Sequence, residues 1–191
     1  MRKLEEFVNE KLKVNKIEKN IMYHPTSKEE LINIIIKEIE TNGPNCSLNH
    51  IDVSNITDMS YLFRGGDANK YQMGHPILSE FDGDVSDWDV SNVTNMRAMF
   101  AHSKYNGDIS MWNVSNVTNM AFIFYYSPFD GKKGDISNWD VSNVIIMDNM
   151  FYNSKFNGDI SKWKINPKAR GHMTDMFTNS PLEKTLPVWY K

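Results

Sequence analysis

Apolar residues return along most of this chain in a fixed order of columns, and the order itself repeats. WDVSNV occurs at 88–93 and 139–144, WNVSNV at 112–117 and IDVSNI at 51–56. Taking the first residue as anchor, Ile51, Trp88, Trp112, Trp139, Trp163 and Trp189 follow at spacings of 37, 24, 27, 24 and 26 residues. Leu48, Val85, Ile109, Ile136, Ile160 and Leu186 stand three residues before the anchors; Val53, Val90, Val114, Val141 and Ile165 stand two after. Downstream run a methionine column (Met59, Met96, Met120, Met147, Met173) and a second apolar column (Leu62, Met99, Ile123, Met150, Met176). A phenylalanine column (Phe63, Phe100, Phe124, Phe151, Phe177) follows directly, and an aromatic residue with a G-D-[IV]-S turn closes the unit.

Inside one unit the periods predict two elements. In W-D-V-S apolar and polar residues alternate, which predicts a short half-buried strand. In T-N-M-x-x-M-F the apolar residues fall at i, i+3 and i+4, which predicts one helical turn, with the preceding S-N as its polar cap. The N-G-D stretch predicts a reversal at residues that tolerate positive φ. A single unit cannot bury its own Trp, Met and Phe, so the units are expected to stack on a continuous core. Residues 1–50 read as a helical N-terminal cap, with an amphipathic helix over 2–13 and a second from about Lys28 to Thr41. Thr26 or Ser27 starts the second helix, Gly43-Pro44 stops it, and Leu31, Ile34, Ile35 and Ile39 form its core-facing stripe. The repeats proper span 51–163, with units starting near 51, 88, 112 and 139. Residues 164–191 form a degenerate last unit and C-terminal cap, closed by Leu186 and Trp189, because terminal units of repeat stacks are atypical.

The pattern W-[DN]-V-S-N-V-T-N-M-x-x-M-F-x-x-S-x-x-[FY]-N-G-D-I-S, as it runs from Trp88 to Trp112, resembles the BspA-type leucine-rich repeats, including the variant of mycoplasmal surface lipoproteins. The resemblance implies an α/β repeat solenoid: a right-handed, leucine-rich-repeat-like stack of short strands and short helical turns. It also implies protein binding, since many such proteins are secreted or lipid-anchored adhesins.

Composition narrows the chemistry. Forty per cent hydrophobic and 12% aromatic residues suffice for a core and argue against disorder. The formal net charge of −3 offers no global attraction for nucleic acid. The single cysteine, Cys46, excludes an internal disulfide framework. No run approaches the roughly 20 apolar residues of a membrane span, and the charged start MRKLEEFVNEKLKVNK has no apolar leader. The expectation is a cytoplasmic protein, or a cell-surface one if a leader has been removed.

No phosphate loop, nucleophile elbow or paired metal-ligand spacing occurs, so neither catalysis nor a metal or other cofactor is expected. Asp82, Asp84 and Asp87 bring calcium to mind, but the same phase recurs at Asp108, Asp135 and Asp159. These carboxylates therefore read as acceptors for backbone N–H groups in turns. Three surfaces remain as candidate protein-binding sites. Phe122 stands where other units show Ala98 or Asn149, Tyr125-Tyr126 where others show Ala101-His102 or Thr178-Asn179, and stacking would bring them to Tyr152. Asp87, Asp89, Met111, Asn113 and Asp140 point outward from the predicted strands. A 13-residue excess in the first repeat, over about 64–80, carries Tyr71, Met73 and His75. The function expected is a non-enzymatic module that binds another protein inside the cell and inhibits or scaffolds it, carried by a phage or other mobile element as an anti-defence inhibitor. The alternative is a bacterial surface adhesin whose export signal lies outside this chain.

Overall fold

The computed structural model describes residues 21–66 and 75–190. The predicted helix over 2–13 and the candidate residues Tyr71 and Met73 lie outside them. Helix α1 (Lys28–Asn42) forms where the apolar stripe predicts it. Ser27 caps it by accepting the Glu30 N–H, and Gly43 ends it at φ 84°, a left-handed value that favours glycine. Leu31, Ile35 and Ile39 are buried and Ile34 packs beside them, so α1 covers the open end of the first repeat.

The repeats do stack, but the expected α/β solenoid of strands and helical turns does not form. Among the described residues there is no strand, only five isolated parallel bridges, three of them in the column Asp58–Asn95–Asn119–Ile146. The reason lies in which groups take the backbone N–H donors. Trp88 and Val93 donate back three residues to Val85 and Val90, closing tight turns. Ser86 and Ser91 donate to the carboxylates of Asp84 and Asp89. Such local side-chain acceptors compete with a ladder for the same donors. The W-D-V-S alternation is therefore genuine as an in–out pattern, with Trp88 and Val90 buried and Asp87 and Asp89 exposed, but its backbone turns instead of extending.

The predicted helical turn is overridden too. Met96, Ala98, Phe100 and His102 donate their N–H groups to Asn119, Ala121, Ile123 and Tyr125 of the following unit. Between them Met99, Ala101 and Ser103 donate back to Met96, Ala98 and Phe100. The result is a ribbon in which alternate donors serve the neighbour and the chain itself. It requires left-handed backbone twice per unit, at Ala98 and His102, Phe122 and Tyr126, Asn149 and Asn153, and Asp175 and Asn179. An α-helix would have sent every one of these N–H groups back four residues. Burial of Met96, Met99 and Phe100 survives the change, because turns of three residues keep the same side inward.

The repeat signature encodes contacts between units. Each tryptophan indole donates to a main-chain carbonyl one unit back: Trp88 to Leu48, Trp112 to Val85, Trp139 to Ile109, Trp163 to Ile136 and Trp189 to Ile160. The asparagine of V-S-N does the same through its amide, Asn92 to Ser54, Asn116 to Ser91 and Asn143 to Ser115. The phenylalanine column stacks near-parallel at 5.6–5.9 Å per unit from Phe63 through Phe100 and Phe124 to Phe177. A second aromatic column, Phe81, Tyr105, Phe129 and Phe156, leans on it. Tyr105 is fully buried, and burial first, then the Asp84, Asp82 and Asp108 carboxylates, keep its phenol protonated. The glycine of N-G-D serves this column rather than a positive φ. A Cβ on Gly107 would lie 2.5 Å from the Tyr105 hydroxyl oxygen, and one on Gly158 2.7 Å from the Phe156 ring.

At the C-terminal end the turn Pro167–Gly171 absorbs the two extra residues, so that Met173 returns to its column. Trp189 stacks on Trp163 at 6.2 Å as expected. Leu186 does not close the core; it is exposed, and Leu182 of the turn Pro181–Lys184 is buried instead. The turn supplies three-residue spacing that places Leu182, not Leu186, against the stack.

Candidate functional site

The ribbon presents three outward columns, read across units. One holds Tyr61, Ala98, Phe122 and Asn149; the next Arg64, Ala101, Tyr125 and Tyr152; the third Gly65, His102, Tyr126 and Asn153. Phe122 and Tyr126 hold left-handed backbone, which costs a residue with a Cβ about 1–2 kcal/mol each.

The stack brings the four predicted aromatics together. Phe122 meets Tyr125 edge-on at 5.4 Å, Tyr125 meets Tyr126 at 4.7 Å, and Tyr152 lies 5.2 Å from Tyr125 and 5.7 Å from Tyr126. Tyr126 is 47% exposed, the other three half-buried. Burial, then the neighbouring phenols of Tyr126 and Tyr152, push the Tyr125 hydroxyl above its ordinary value, so it remains a neutral donor.

Sequence reasoning missed four members of this face. His102 stacks on Tyr126 at 4.9 Å and meets Tyr125 edge-on at 5.3 Å. Burial, and secondarily the Arg64 charge, depress its pKa. Arg97 lays its guanidinium over the Phe122 ring, 4.7 Å from the centroid, and its Nε donates to the Tyr61 hydroxyl at 2.8 Å. Arg64 lies over the other side of the set, 5.5 Å from the Tyr61 centroid. The available signal was column membership: His102 stands one unit before Tyr126, and Tyr61 two units before Phe122.

Between these walls the second unit carries alanine in two columns, Ala98 and Ala101. The missing side chains leave a notch of about 200 Å³ lined by Tyr61, Arg64, Arg97, His102, Phe122 and Tyr125 above the two alanines. A larger, shallow groove of about 740 Å³ runs on the other side of Tyr126, past Glu80, Lys104 and Lys155.

The other predicted residues lie elsewhere. Asp87, Asp89, Met111, Asn113 and Asp140 are exposed on the tryptophan-bearing turns, with Met111 at 83%. They line no sheet, and three of them act as turn acceptors: Asp89 for Ser91, Asn113 for Ser115 and Asp140 for Ser142. The Ser142 hydroxyl and N–H hold the Asp140 carboxyl below its usual range. Of the calcium-like run, Asp84 accepts from Ser86 N–H in the same way, whereas Asp82 accepts from the Asn106 N–H of the following unit. His75 caps the four-residue helix α2 (Pro76–Ser79), its Nδ1 accepting from Ile77 N–H. Among the described residues no group of three or more His, Cys, Asp or Glu is placed to hold a metal ion, and no helix is long and apolar enough to cross a membrane.

No curated protein and no solved structure matches this chain. The sequence profile of one family, described as Mycoplasma protein of unknown function, DUF285, matches residues 40–129 and 69–189. Those two stretches overlap, as expected where one motif recurs, and together they take in the whole stack from the end of α1 to the C-terminal turn. The match covers well over half of the sequence, and the chain belongs to the DUF285 family.

Proposed function

We propose that this protein is a non-enzymatic binding module that engages another protein through the aromatic face of its ribbon. One observation carries the reading. Most aromatic side chains of the repeats are consumed by the core, whereas the second to fourth units place His102, Tyr125, Tyr126 and Tyr152 in one continuous set at the surface. Clustered, rigid aromatics beside arginine are the side chains from which interface hot spots are built. They contribute large apolar area at little conformational cost, and the tyrosine hydroxyls supply polar contacts at the edge. On the shared W-[DN]-V-S-N-V-T-N-M pattern we also read the repeat as kin to the BspA type, whose members bind proteins. The partner in this reading is an intracellular host protein that the module blocks or scaffolds.

The test is affinity capture from host lysate with the tagged protein and, in parallel, a variant with Phe122, Tyr125 and Tyr126 changed to Ala. One stoichiometric protein, bound at least tenfold more weakly by a variant whose urea midpoint still indicates a cooperative fold, is the expected result. Equal capture by both forms removes the aromatic face from the reading. No capture from lysate removes the intracellular partner.

A further inference from the structure

We infer that the notch between the first and third units is a receptor for one carboxylate side chain, Asp or Glu, of the bound protein. The inference deepens the proposed function and rests on it only in naming a protein as the source of the carboxylate. Three observations carry it.

The first is size. At about 200 Å³ the notch falls below the roughly 300–1,000 Å³ of pockets that enclose small-molecule ligands. It suits a single side chain entering from a larger surface. Its shape has a specific origin, since Ala98 and Ala101 interrupt two columns that are bulky on both sides.

The second is charge. The chain has only four arginines and more acidic than basic residues. Yet Arg64, Arg97 and His102 line this one notch, and among the described residues no carboxylate lines it. Burial first, and the Arg64 charge second, depress the His102 pKa, which leaves the positive charge of the notch with the two guanidinium groups.

The third is the pose of Arg97. Its Nε is committed to the Tyr61 hydroxyl and its face to Phe122, which holds the guanidinium plane. The remaining edge carries the two Nη groups, for which no acceptor exists among the described residues. A guanidinium fixed in this way has already lost the side-chain freedom that bidentate binding normally costs, and its fork matches the two oxygens of a carboxylate. Stacking on Phe122 leaves its charge intact, because the ring attracts the cation without neutralising it.

The probe is N-acetylglutamate α-amide, titrated to tens of millimolar into the isotope-labelled full chain, with N-acetylglutamine α-amide as its uncharged match. Nuclear magnetic resonance follows the Arg97 Nε–H and the His102 ring. The expected result is a saturable shift of both with the glutamate probe, at least fivefold weaker with glutamine and weakened by 0.5 M salt, with the His102 pKa rising on binding. Arg97→Gln abolishes the shift at His102. Ala101→Leu, which fills the notch and leaves Arg97 in place, abolishes it as well. Equal shifts from the two probes overturn the inference, as does a glutamate shift at His102 that persists in either variant. Should one variant unfold, the other and the two-probe comparison still decide. A notch that binds the glutamate probe in a protein that captures no partner refutes the proposed function alone; a captured partner with a silent notch refutes this inference alone.

Discussion

Trp112 tests the stack most directly, because its side chain does two separable things. Its ring is 3% exposed, lies 6.4 Å from Trp88 and 6.2 Å from Phe100, and its indole N–H donates to the Val85 carbonyl at 3.0 Å. Trp112→Ala empties a core layer and leaves that carbonyl buried without its donor. Cavity formation at a buried aromatic costs about 3–5 kcal/mol. Trp112→Phe keeps most of the ring but removes the donor, which isolates the polar part. An unsatisfied buried carbonyl costs about 1–3 kcal/mol. The ordering expected is therefore wild type, then Trp112→Phe, then Trp112→Ala. Trp189 makes the same bond to Ile160 but is only partly buried at the end of the stack, so Trp189→Ala should lose about half as much as Trp112→Ala. Urea titration by far-ultraviolet circular dichroism measures all three, and an unchanged m-value confirms that the same cooperative unit is unfolding. A loss below about 1 kcal/mol for Trp112→Ala refutes the packing argument. A Trp112→Phe variant as stable as wild type refutes the role given to the indole bond.

Two further outcomes follow from the ribbon. Asn149 holds φ at 56°, so Asn149→Val should destabilise by about 1–2 kcal/mol while Asn149→Gly costs little, as read by urea midpoints; equal losses would mean that the amide, not the backbone, matters there. Burial and Arg64 lower the His102 pKa in the fold, so the neutral ring is the stabilising form. Its contribution is complete above the unfolded value near 6.5 and is lost as pH falls through the lowered folded value. His102→Gln should accordingly lose less stability than wild type between pH 7.5 and 5, and parallel pH profiles would remove His102 from that account.

The columns made the core legible without coordinates. Leu48, Val85, the Trp column from Trp88 to Trp163 and the Met and Phe columns are buried, Trp189 partly so, and α1 starts and stops at its predicted caps. Leu186 is the exception, and it falls where the repeat grammar has already broken down. Burial could be read because it depends on the spacing of apolar residues, which is local. The backbone that carries those residues could not. The alternation at Trp88–Val90 suits a strand and a turn alike, and the spacing Met96, Met99, Phe100 suits a helix and a ribbon alike. The choice lies with acceptors on other units: the Asn119, Ala121, Ile123 and Tyr125 carbonyls draw the N–H groups of Met96 to His102 away from a helix.

The candidate site divides in the same way. Phe122, Tyr125, Tyr126 and Tyr152 were legible as departures from the repeat, because a regular sequence exposes its exceptions. The notch was not, since it consists of two alanines that look unremarkable until Tyr61 and Phe122 stand on either side. Arg97 reads in the sequence as one more solvated cation; only the stack places it between the Tyr61 hydroxyl and the Phe122 ring. The sequence alone therefore determined what is inside and how often it recurs, through hydrophobic spacing along the chain. Tertiary structure decided the hydrogen-bond partners and the shape of the surface, because both are set between residues about one repeat apart.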